Sequence, residues 1–119
     1  MKKLLLLLLC VPLIGFGQIE ETANIEVDKD GYVKKYYENG QLEVEGNRKA
    51  GNREGLWKWY YGNGQLELEG NYGTDGWNGL WKWYYENGQL AREERWRTSR
   101  KTPIYKRCWD EEGNKIDCE

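Results

Sequence analysis

Gly55-Leu-Trp-Lys-Trp-Tyr-Tyr61 occurs twice in this chain, the second time as Gly79-Leu-Trp-Lys-Trp-Tyr-Tyr85. The match extends over 55–66 and 79–90, where 11 of 12 positions agree. Gly31 marks a more divergent first copy at the same spacing, and a degenerate fourth unit follows the third. A fixed period of this length is typical of an array in which each copy packs on its neighbours.

Each copy has the pattern of two strands around a tight turn. An Asn-Gly pair, the strongest short hairpin signal, stands in the middle of all three copies, at Asn39-Gly40, Asn63-Gly64 and Asn87-Gly88. It predicts a two-residue type I′ turn, in which both central residues have positive φ.

Counting outward from Asn63-Gly64 fixes the cross-strand pairs of the second copy. Because strand side chains alternate between faces, three pairs share one face: Tyr61 with Leu66, Trp59 with Leu68, and Trp57 with Gly70. The other face carries Lys58 with Glu69 and Tyr60 with Glu67. Hydrophobic side chains thus separate from charged ones, which specifies the register.

The same count applies to the other two copies. It pairs Tyr37 with Leu42 and Lys35 with Val44 in the first, and Tyr85 with Leu90, Trp83 with Arg92 and Trp81 with Glu94 in the third. The aromatic face becomes more polar in the third copy, so the array is expected to end there. Gly-rich connectors are expected at 50–54 and 73–78.

These patterns predict an all-β protein, an elongated array of tandem antiparallel β-hairpin repeats with period 24 that forms a single-layer sheet. The expected organisation is a signal peptide at 1–17, a lead-in at 18–30, hairpin repeats at 31–54, 55–78 and 79–96, and a capping hairpin at 97–119. Removal of 1–17 takes away Cys10 and leaves two cysteines. An even count in an exported chain predicts a disulfide between them, Cys108 and Cys118. If the two are directly opposite, the loop is 112–114, with Gly113 in the left-handed region.

The segment 1–17 has the parts of a secretory signal peptide. Lys2 and Lys3 precede an apolar run over 4–16, and Gly15 and Gly17 are the small residues before the cut. We expect export to the periplasm, the outer envelope or the medium. Lipid anchoring at Cys10 is an alternative, but Leu9 stands where a small residue is usual.

The charge of the exported chain bears on its partners. Without the signal peptide, 16 basic and 20 acidic residues give a net charge of −4. Such a chain is poorly suited to a phosphate backbone, so we predict no nucleic-acid partner. It has no basic run or basic amphipathic helix, so we also expect no membrane insertion once the signal is removed.

The chain lacks the residue sets that most catalytic and metal sites need. It has no His, so neither a nucleophile–base pair nor a zinc site can be assembled from it. Asp28-Lys-Asp30-Gly31 resembles the start of a calcium loop, but Asn39 replaces Glu at the twelfth position. Four glutamates with the spacing of the repeat are explained by cross-strand pairing rather than glycoside hydrolysis: Glu43, Glu45, Glu67 and Glu69. We predict a non-enzymatic protein without metal or cofactor.

The candidate binding residues are aromatic side chains that recur at equivalent positions. Six lie on the tryptophan-bearing face, namely Trp57, Trp59, Tyr61, Trp81, Trp83 and Tyr85, and two on the charged face, Tyr60 and Tyr84. Trp and Tyr dominate binding hot spots, so this surface is a candidate contact for a partner. The same residues also suit packing between hairpins, and the sequence leaves both interpretations open.

The second and third copies resemble the variant MORN repeat family (membrane occupation and recognition nexus), whose units look like G-x-W-x-x-Y-Y-x-N-G-Q-L. In the second copy the matching residues are Gly55, Trp57, Tyr60, Tyr61, Asn63, Gly64, Gln65 and Leu66, while Val33 replaces the tryptophan of the first copy. The resemblance implies a hairpin array with a face for partners. Chains of this kind, the YwqK type, are labelled as antitoxins of toxin–antitoxin systems.

Three functions follow in order of preference. The first is a protein-binding or scaffold module of the cell envelope. The second is a carbohydrate-binding module, because evenly spaced indole and phenol rings stack on successive sugars. The third is an antitoxin- or immunity-like partner of a toxin that acts in the same exported compartment. Exposed edge strands leave dimerisation open.

Overall fold

In the computed structural model, which describes residues 30–98 and 100–119, one open antiparallel sheet contains every strand. Each strand pairs with its neighbours in sequence, in the order β1 to β8. The strands are β1 (Gly31–Tyr36), β2 (Leu42–Lys49), β3 (Asn52–Tyr60), β4 (Leu66–Gly73), β5 (Gly76–Tyr84), β6 (Leu90–Trp96), β7 (Tyr105–Trp109) and β8 (Lys115–Ile116). The predicted single sheet of tandem hairpins is confirmed. The predicted signal peptide, Cys10 and the lead-in up to residue 29 lie outside the described residues.

The predicted register is confirmed in the middle of each hairpin. Trp59 pairs with Leu68, Trp57 with Gly70, and Lys58 with Glu69. The first and third copies pair Lys35 with Val44 and Trp83 with Arg92, also as expected. Alternation along these strands places tryptophan on one face, the aromatic face, and the Lys–Glu pairs on the other, the polar face.

The predicted type I′ turns are wrong. Gly64 donates its N–H to the Tyr61 carbonyl at 2.9 Å, and the Tyr61 N–H donates to the Gln65 carbonyl at 2.8 Å. Gly64 has φ of +93°, but Asn63 does not have a positive φ. The loop therefore has three residues, 62–64, and ends on a left-handed glycine, a common alternative to the two-residue turn. The tips of the first and third copies have the same hydrogen bonds.

The longer loop changes the pairs nearest to each tip. A β-bulge lies between Trp59 and Tyr60, so that Tyr60, rather than Tyr61, is opposite Leu66. The predicted pairs of Tyr61 with Leu66 and of Tyr60 with Glu67 are therefore wrong. The corresponding pairs in the other copies are corrected in the same way, since Tyr36 faces Leu42 and Tyr84 faces Leu90.

The expected Gly-rich connectors are mostly strand. β2 and β3 are joined by Ala50 and Gly51 alone, with φ of +53° and +81°, and β4 and β5 by the two residues 74–75. The type I′ pattern of two positive φ values therefore occurs at Ala50-Gly51, where the sequence has no Asn-Gly pair. Tight turns at both ends of the strands keep consecutive hairpins in one sheet.

The C-terminal hairpin is closed by a disulfide between Cys108 and Cys118, whose Cα atoms are 5.3 Å apart. The two residues are not directly opposite, because Cys108 pairs with Ile116 and Cys118 follows β8. The loop is 111–113 rather than 112–114, closed by the Gly113 N–H to the Asp110 carbonyl at 3.0 Å. The predicted disulfide is thus confirmed and the predicted loop is wrong by one residue.

Candidate binding site

The first tryptophan of the second and third copies crosses the boundary to the preceding hairpin. Trp57 pairs with Gly46 and Trp81 with Gly70, and the indoles are 2% and 0% exposed. A Cβ on Gly46 would lie 2.1 Å from the Trp57 ring, and one on Gly70 would lie 2.0 Å from the Trp81 ring. Glycine is therefore required beneath each ring, and the two indoles hold the copies together.

Both buried indoles are also fixed by hydrogen bonds across the same boundary. Trp57 Nε1–H donates to the Asn47 carbonyl at 2.9 Å, and Trp81 Nε1–H donates to the Asn71 carbonyl at 3.1 Å. Because buried indole N–H groups need an acceptor, these bonds fix the ring orientation.

The arrangement changes at the last boundary. Glu94 stands where Gly46 and Gly70 stand, but its partner on the following strand, β7, is Lys106 rather than a tryptophan. Glu94 is only 5% exposed and accepts a hydrogen bond from Trp96 Nε1 at 2.9 Å. The sequence predicted a more polar face at Glu94. In the structure, this residue replaces the glycine that lies beneath an indole at the two earlier boundaries, so the last two hairpins are joined differently.

The aromatic face is one connected cluster of six of the seven tryptophans and one tyrosine: Trp57, Trp59, Tyr72, Trp77, Trp81, Trp83 and Trp96. Trp77 stacks on Trp81 with centroids 3.9 Å apart, and the Tyr72 ring meets Trp81 edge-on at 5.2 Å. Sequence reasoning missed Tyr72, Trp77 and Trp96. Trp77 alternates with Trp81 and Trp83 on β5, and this alternation was its signal. The signal of Tyr72 and Trp96 was their separation of one repeat period, on β4 and β6.

Two arginines cover parts of this cluster. The Arg53 guanidinium lies 4.9 Å from the Trp57 ring and 5.5 Å from Trp59, and its Nη1 donates to the Tyr72 hydroxyl at 3.1 Å. Arg92 lies 4.1 Å over the ring of Trp83, its cross-strand partner.

Arg92 is also paired with the buried Glu94. Its Nε lies 3.2 Å from Glu94 Oε2, close enough for an ion pair, but the N–H is not aligned for a hydrogen bond. The pair offsets the charge of the buried carboxylate, and the two groups together carry no net charge.

Tyr61 and Tyr85 join hairpin tips rather than lying free on the surface. Tyr61 donates its hydroxyl to the Tyr84 carbonyl at 2.6 Å, and Tyr85 donates to the Trp109 carbonyl at 2.8 Å. Asn87 Nδ2 adds a bond of 3.1 Å to the Glu111 carbonyl. The tips of adjacent copies are thus tied by side-chain donors that repeat with the sequence.

On the polar face, seven side chains of alternating charge cross the sheet as direct cross-strand neighbours: Lys34, Glu45, Lys58, Glu69, Lys82, Glu93 and Arg107. Tyr60 donates to Glu45 Oε2 at 2.6 Å, and Tyr84 donates to Glu69 Oε2 at 2.8 Å. Burial, then the hydrogen bond to the adjacent glutamate, raises the pKa of both phenols well above the usual range. Tyr60 and Tyr84 therefore remain neutral donors.

A second apolar feature, which was not predicted from the sequence, lies on the polar face. Tyr32 and Leu56 are 62% and 52% exposed, and Leu80 follows at the spacing of the repeat, half-buried. Tyr32 and Leu56 line a groove of about 400 Å³ together with Asn47, Glu54 and Lys58. The repeat of the exposed side chain was visible in the sequence, in the Leu of Gly-Leu-Trp.

The structure therefore divides the predicted contact residues by accessibility. Trp57 and Trp81 are buried, Tyr61 and Tyr85 are hydrogen-bonded at the tips, and Trp59 and Trp83 remain half-buried on the aromatic face.

Over 30–98 and 100–119, no three His, Cys, Asp or Glu side chains converge as a metal site, and no helix is long and apolar enough to cross a membrane.

Comparison with protein families gives three consecutive matches to one model, described as a MORN repeat variant, at 29–50, 53–73 and 77–97. They cover more than half of the chain. The chain belongs to the MORN repeat variant family. Its matches coincide with the three hairpins β1–β2, β3–β4 and β5–β6, and the C-terminal hairpin lies beyond them. MORN repeats are typically protein- or membrane-binding modules and generally not enzymes. No curated protein and no solved structure matches the chain.

Proposed function

We propose that this protein is an exported, non-enzymatic scaffold that binds a protein partner through its aromatic face. The observation that carries the proposal is the separation of roles along each Trp-Lys-Trp segment. The first tryptophan is buried over a glycine, whereas the second, Trp59 or Trp83, keeps part of its ring open to solvent. The sheet therefore presents anchors whose positions are already fixed by packing.

Fixed anchors favour binding because little rotamer freedom is lost when a partner docks. Trp59 contacts Trp57 and Trp81, with centroids 6.1 and 6.2 Å away, and Arg53 covers part of it. Equivalent anchors on β3 and β5 are two strands apart, about 9–10 Å. A partner that contacts both must span more than one repeat, which gives the array a reason to repeat.

The disulfide supports the exported location. Such bonds persist in oxidising compartments and are rare in the cytosol. Cys108 and Cys118 close the last hairpin, so oxidation there fastens the end of the sheet that lacks a buried tryptophan. Export by the N-terminal signal peptide agrees with this chemistry.

Partner capture from the native envelope tests the proposal. The chain is immobilised beside a Trp59→Ala/Trp83→Ala variant, and the retained proteins are identified by mass spectrometry. Lys58→Ala/Lys82→Ala is the matched control, since it changes the next residue on the same strands but on the opposite face. Near-ultraviolet circular dichroism checks that each variant is folded.

We expect the control to retain the partner and the tryptophan variant to lose it. Equal capture by all three proteins would exclude the aromatic face as the contact surface. A captured toxin of the exported compartment would make the chain antitoxin- or immunity-like.

Carbohydrate binding is the second candidate, favoured by the equivalent positions of Trp59 and Trp83 on β3 and β5. Half-buried rings two strands apart suit stacking on a polysaccharide that runs across the strands. Titration with cell-wall and plant polysaccharides, followed by tryptophan fluorescence, decides between the two functions. Binding predicts quenching that is weaker in the Trp83→Ala variant, and an unchanged spectrum removes the candidate.

A further inference from the structure

A cleft of about 360 Å³ lies at the C-terminal end of the aromatic face. Trp83, Tyr85 and Ile116 form its hydrophobic lining, Cys108 and Cys118 border it, and Asp117 and Glu119 lie at its rim. Of the two proposed anchors, Trp59 and Trp83, only Trp83 lines this cleft. The cleft also has carboxylates at its rim, so its chemistry differs from that of the two anchors.

The cleft exists because the last boundary departs from the repeat. Cys108 takes the place that Trp59 and Trp83 take at the two earlier boundaries, as their common pairing with the second strand of the preceding copy shows. An indole is thus replaced by a much smaller side chain. The disulfide then holds Cys108 and Cys118 together, with their Cα atoms 5.3 Å apart, so the space is bounded by a rigid wall.

A second replacement opens the cleft towards the hairpin tip. Ala91 stands where the first two copies have Glu43 and Glu67. Ala91 and Tyr85 both line the cleft. The methyl group of Ala91 is much smaller than a glutamate side chain and leaves this side of the cleft open.

The charges around the cleft select its occupant. Arg92 lines the cleft, but its guanidinium already stacks on Trp83 at 4.1 Å and is paired with the buried Glu94 at 3.2 Å. Asp117 and Glu119 are exposed at the rim. The lining therefore combines aromatic and aliphatic surface with an excess of negative charge, which fits a cation that carries an apolar stem.

On the basis of the protein-binding function above, we propose that this cleft holds an arginine side chain of the partner, with its stem on Trp83 and Ile116 and its guanidinium at Asp117 and Glu119. Arginine suits the site better than lysine because a planar guanidinium both stacks on aromatic rings and pairs with carboxylates. The chain itself uses this mode at Arg92, which stacks on Trp83 and pairs with Glu94, and Arg53 stacks on Trp57 in the same way.

A hexa-arginine peptide is the probe, and a hexacitrulline peptide of equal size and shape is its neutral control. Binding to the purified, oxidised chain is followed by the NMR signals of the Trp83 indole N–H and the Ile116 methyl groups. We expect both to shift with hexa-arginine and to stay unchanged with hexacitrulline.

Two variants locate the binding, and one controls for overall charge. Asp117→Asn/Glu119→Gln weakens binding about tenfold, since two exposed ion pairs together contribute about that factor. Ala91→Gln, which restores a side chain of the size found in the first two copies, weakens it at least as much by filling the cleft. Glu111→Gln/Glu112→Gln removes the same charge from the neighbouring loop and leaves the affinity within about twofold.

Equal affinities for all these proteins, equal binding of the two peptides, or no shift with hexa-arginine would each overturn the proposal. The result is separate from that of the envelope capture. A partner that depends on Trp59 and Trp83 but not on Asp117, Glu119 or Ala91 leaves the scaffold function standing and removes only the arginine site.

Discussion

Replacing Gly70 by alanine perturbs the contact on which the boundary between the second and third copies depends. The new Cβ would lie 2.0 Å from the Trp81 ring, well inside the 3.4 Å at which ordinary contacts begin, so the ring must move. Trp81 has no free space above it, because Trp77 stacks on it at 3.9 Å. Movement also weakens the hydrogen bond from Trp81 Nε1 to the Asn71 carbonyl.

We expect the Gly70→Ala variant to lose about 3 kcal/mol of unfolding free energy. Overpacking of a well-packed site costs roughly 1–3 kcal/mol. A buried donor that loses its acceptor adds about 1–3 kcal/mol. The two costs sum to roughly 2–6 kcal/mol, and because they overlap where the ring relaxes, the expected loss lies in the lower half of that range.

Urea unfolding followed by far-ultraviolet circular dichroism measures this loss. Gly62→Ala is the matched control, since its Cβ meets only Asn39 Nδ2, at 4.0 Å, and the third copy has Glu86 at the same position. The control should stay within about 0.5 kcal/mol of the parent chain. A loss below about 1 kcal/mol for Gly70→Ala, or equal losses for both variants, would refute the role of glycine beneath the ring.

Three further results are expected. Ala50→Asn stabilises the chain by about 0.5–1 kcal/mol in thermal unfolding, because Ala50 has φ of +53° and Asn-Gly suits its turn better; a lower melting temperature would contradict this. Cys108→Ala/Cys118→Ala costs about 2–3 kcal/mol in urea, as expected for a cross-link between residues ten apart, and an unchanged midpoint would show that the bond does not constrain the unfolded chain. Stability falls as the pH rises above about 10, where tyrosines of the unfolded chain ionise first while the raised pKa values of Tyr60 and Tyr84 keep them protonated in the fold. Tyr60→Phe/Tyr84→Phe should make that fall less steep, and an identical pH profile would argue against the Tyr–Glu bonds.

The hairpins and the central register were predictable because the hydrophobic and charged residues separate by face under only one pairing. The turn type was not, because Asn-Gly suits both a two-residue turn and a three-residue loop that ends on glycine. The Asn63 side chain favours the longer loop, since its Oδ1 accepts the Gln65 N–H and its Nδ2 points to the Glu86 carbonyl of the next tip. That second contact lies outside the copy and cannot be inferred from one hairpin.

The candidate site was predictable in composition but not in accessibility. The sequence pattern placed Trp57 and Trp59 on the same face of one strand and gave no reason to distinguish them. Their difference comes from Gly46 on the preceding hairpin, which lets the Trp57 ring lie flat, whereas Trp59 pairs with Val44 on that hairpin. The recurrence of glycine opposite the first tryptophan was present in the sequence, but its meaning required knowing which hairpins are neighbours.

The central claim is that buried indoles over glycine join consecutive copies into one sheet. NMR of the folded chain measures this directly through the Hα protons of Gly46 and Gly70, which lie beneath the Trp57 and Trp81 rings. We predict that both signals are shifted strongly upfield by the ring currents and show nuclear Overhauser contacts to the indole above. Hα signals at ordinary glycine positions, without those contacts, would contradict the claim.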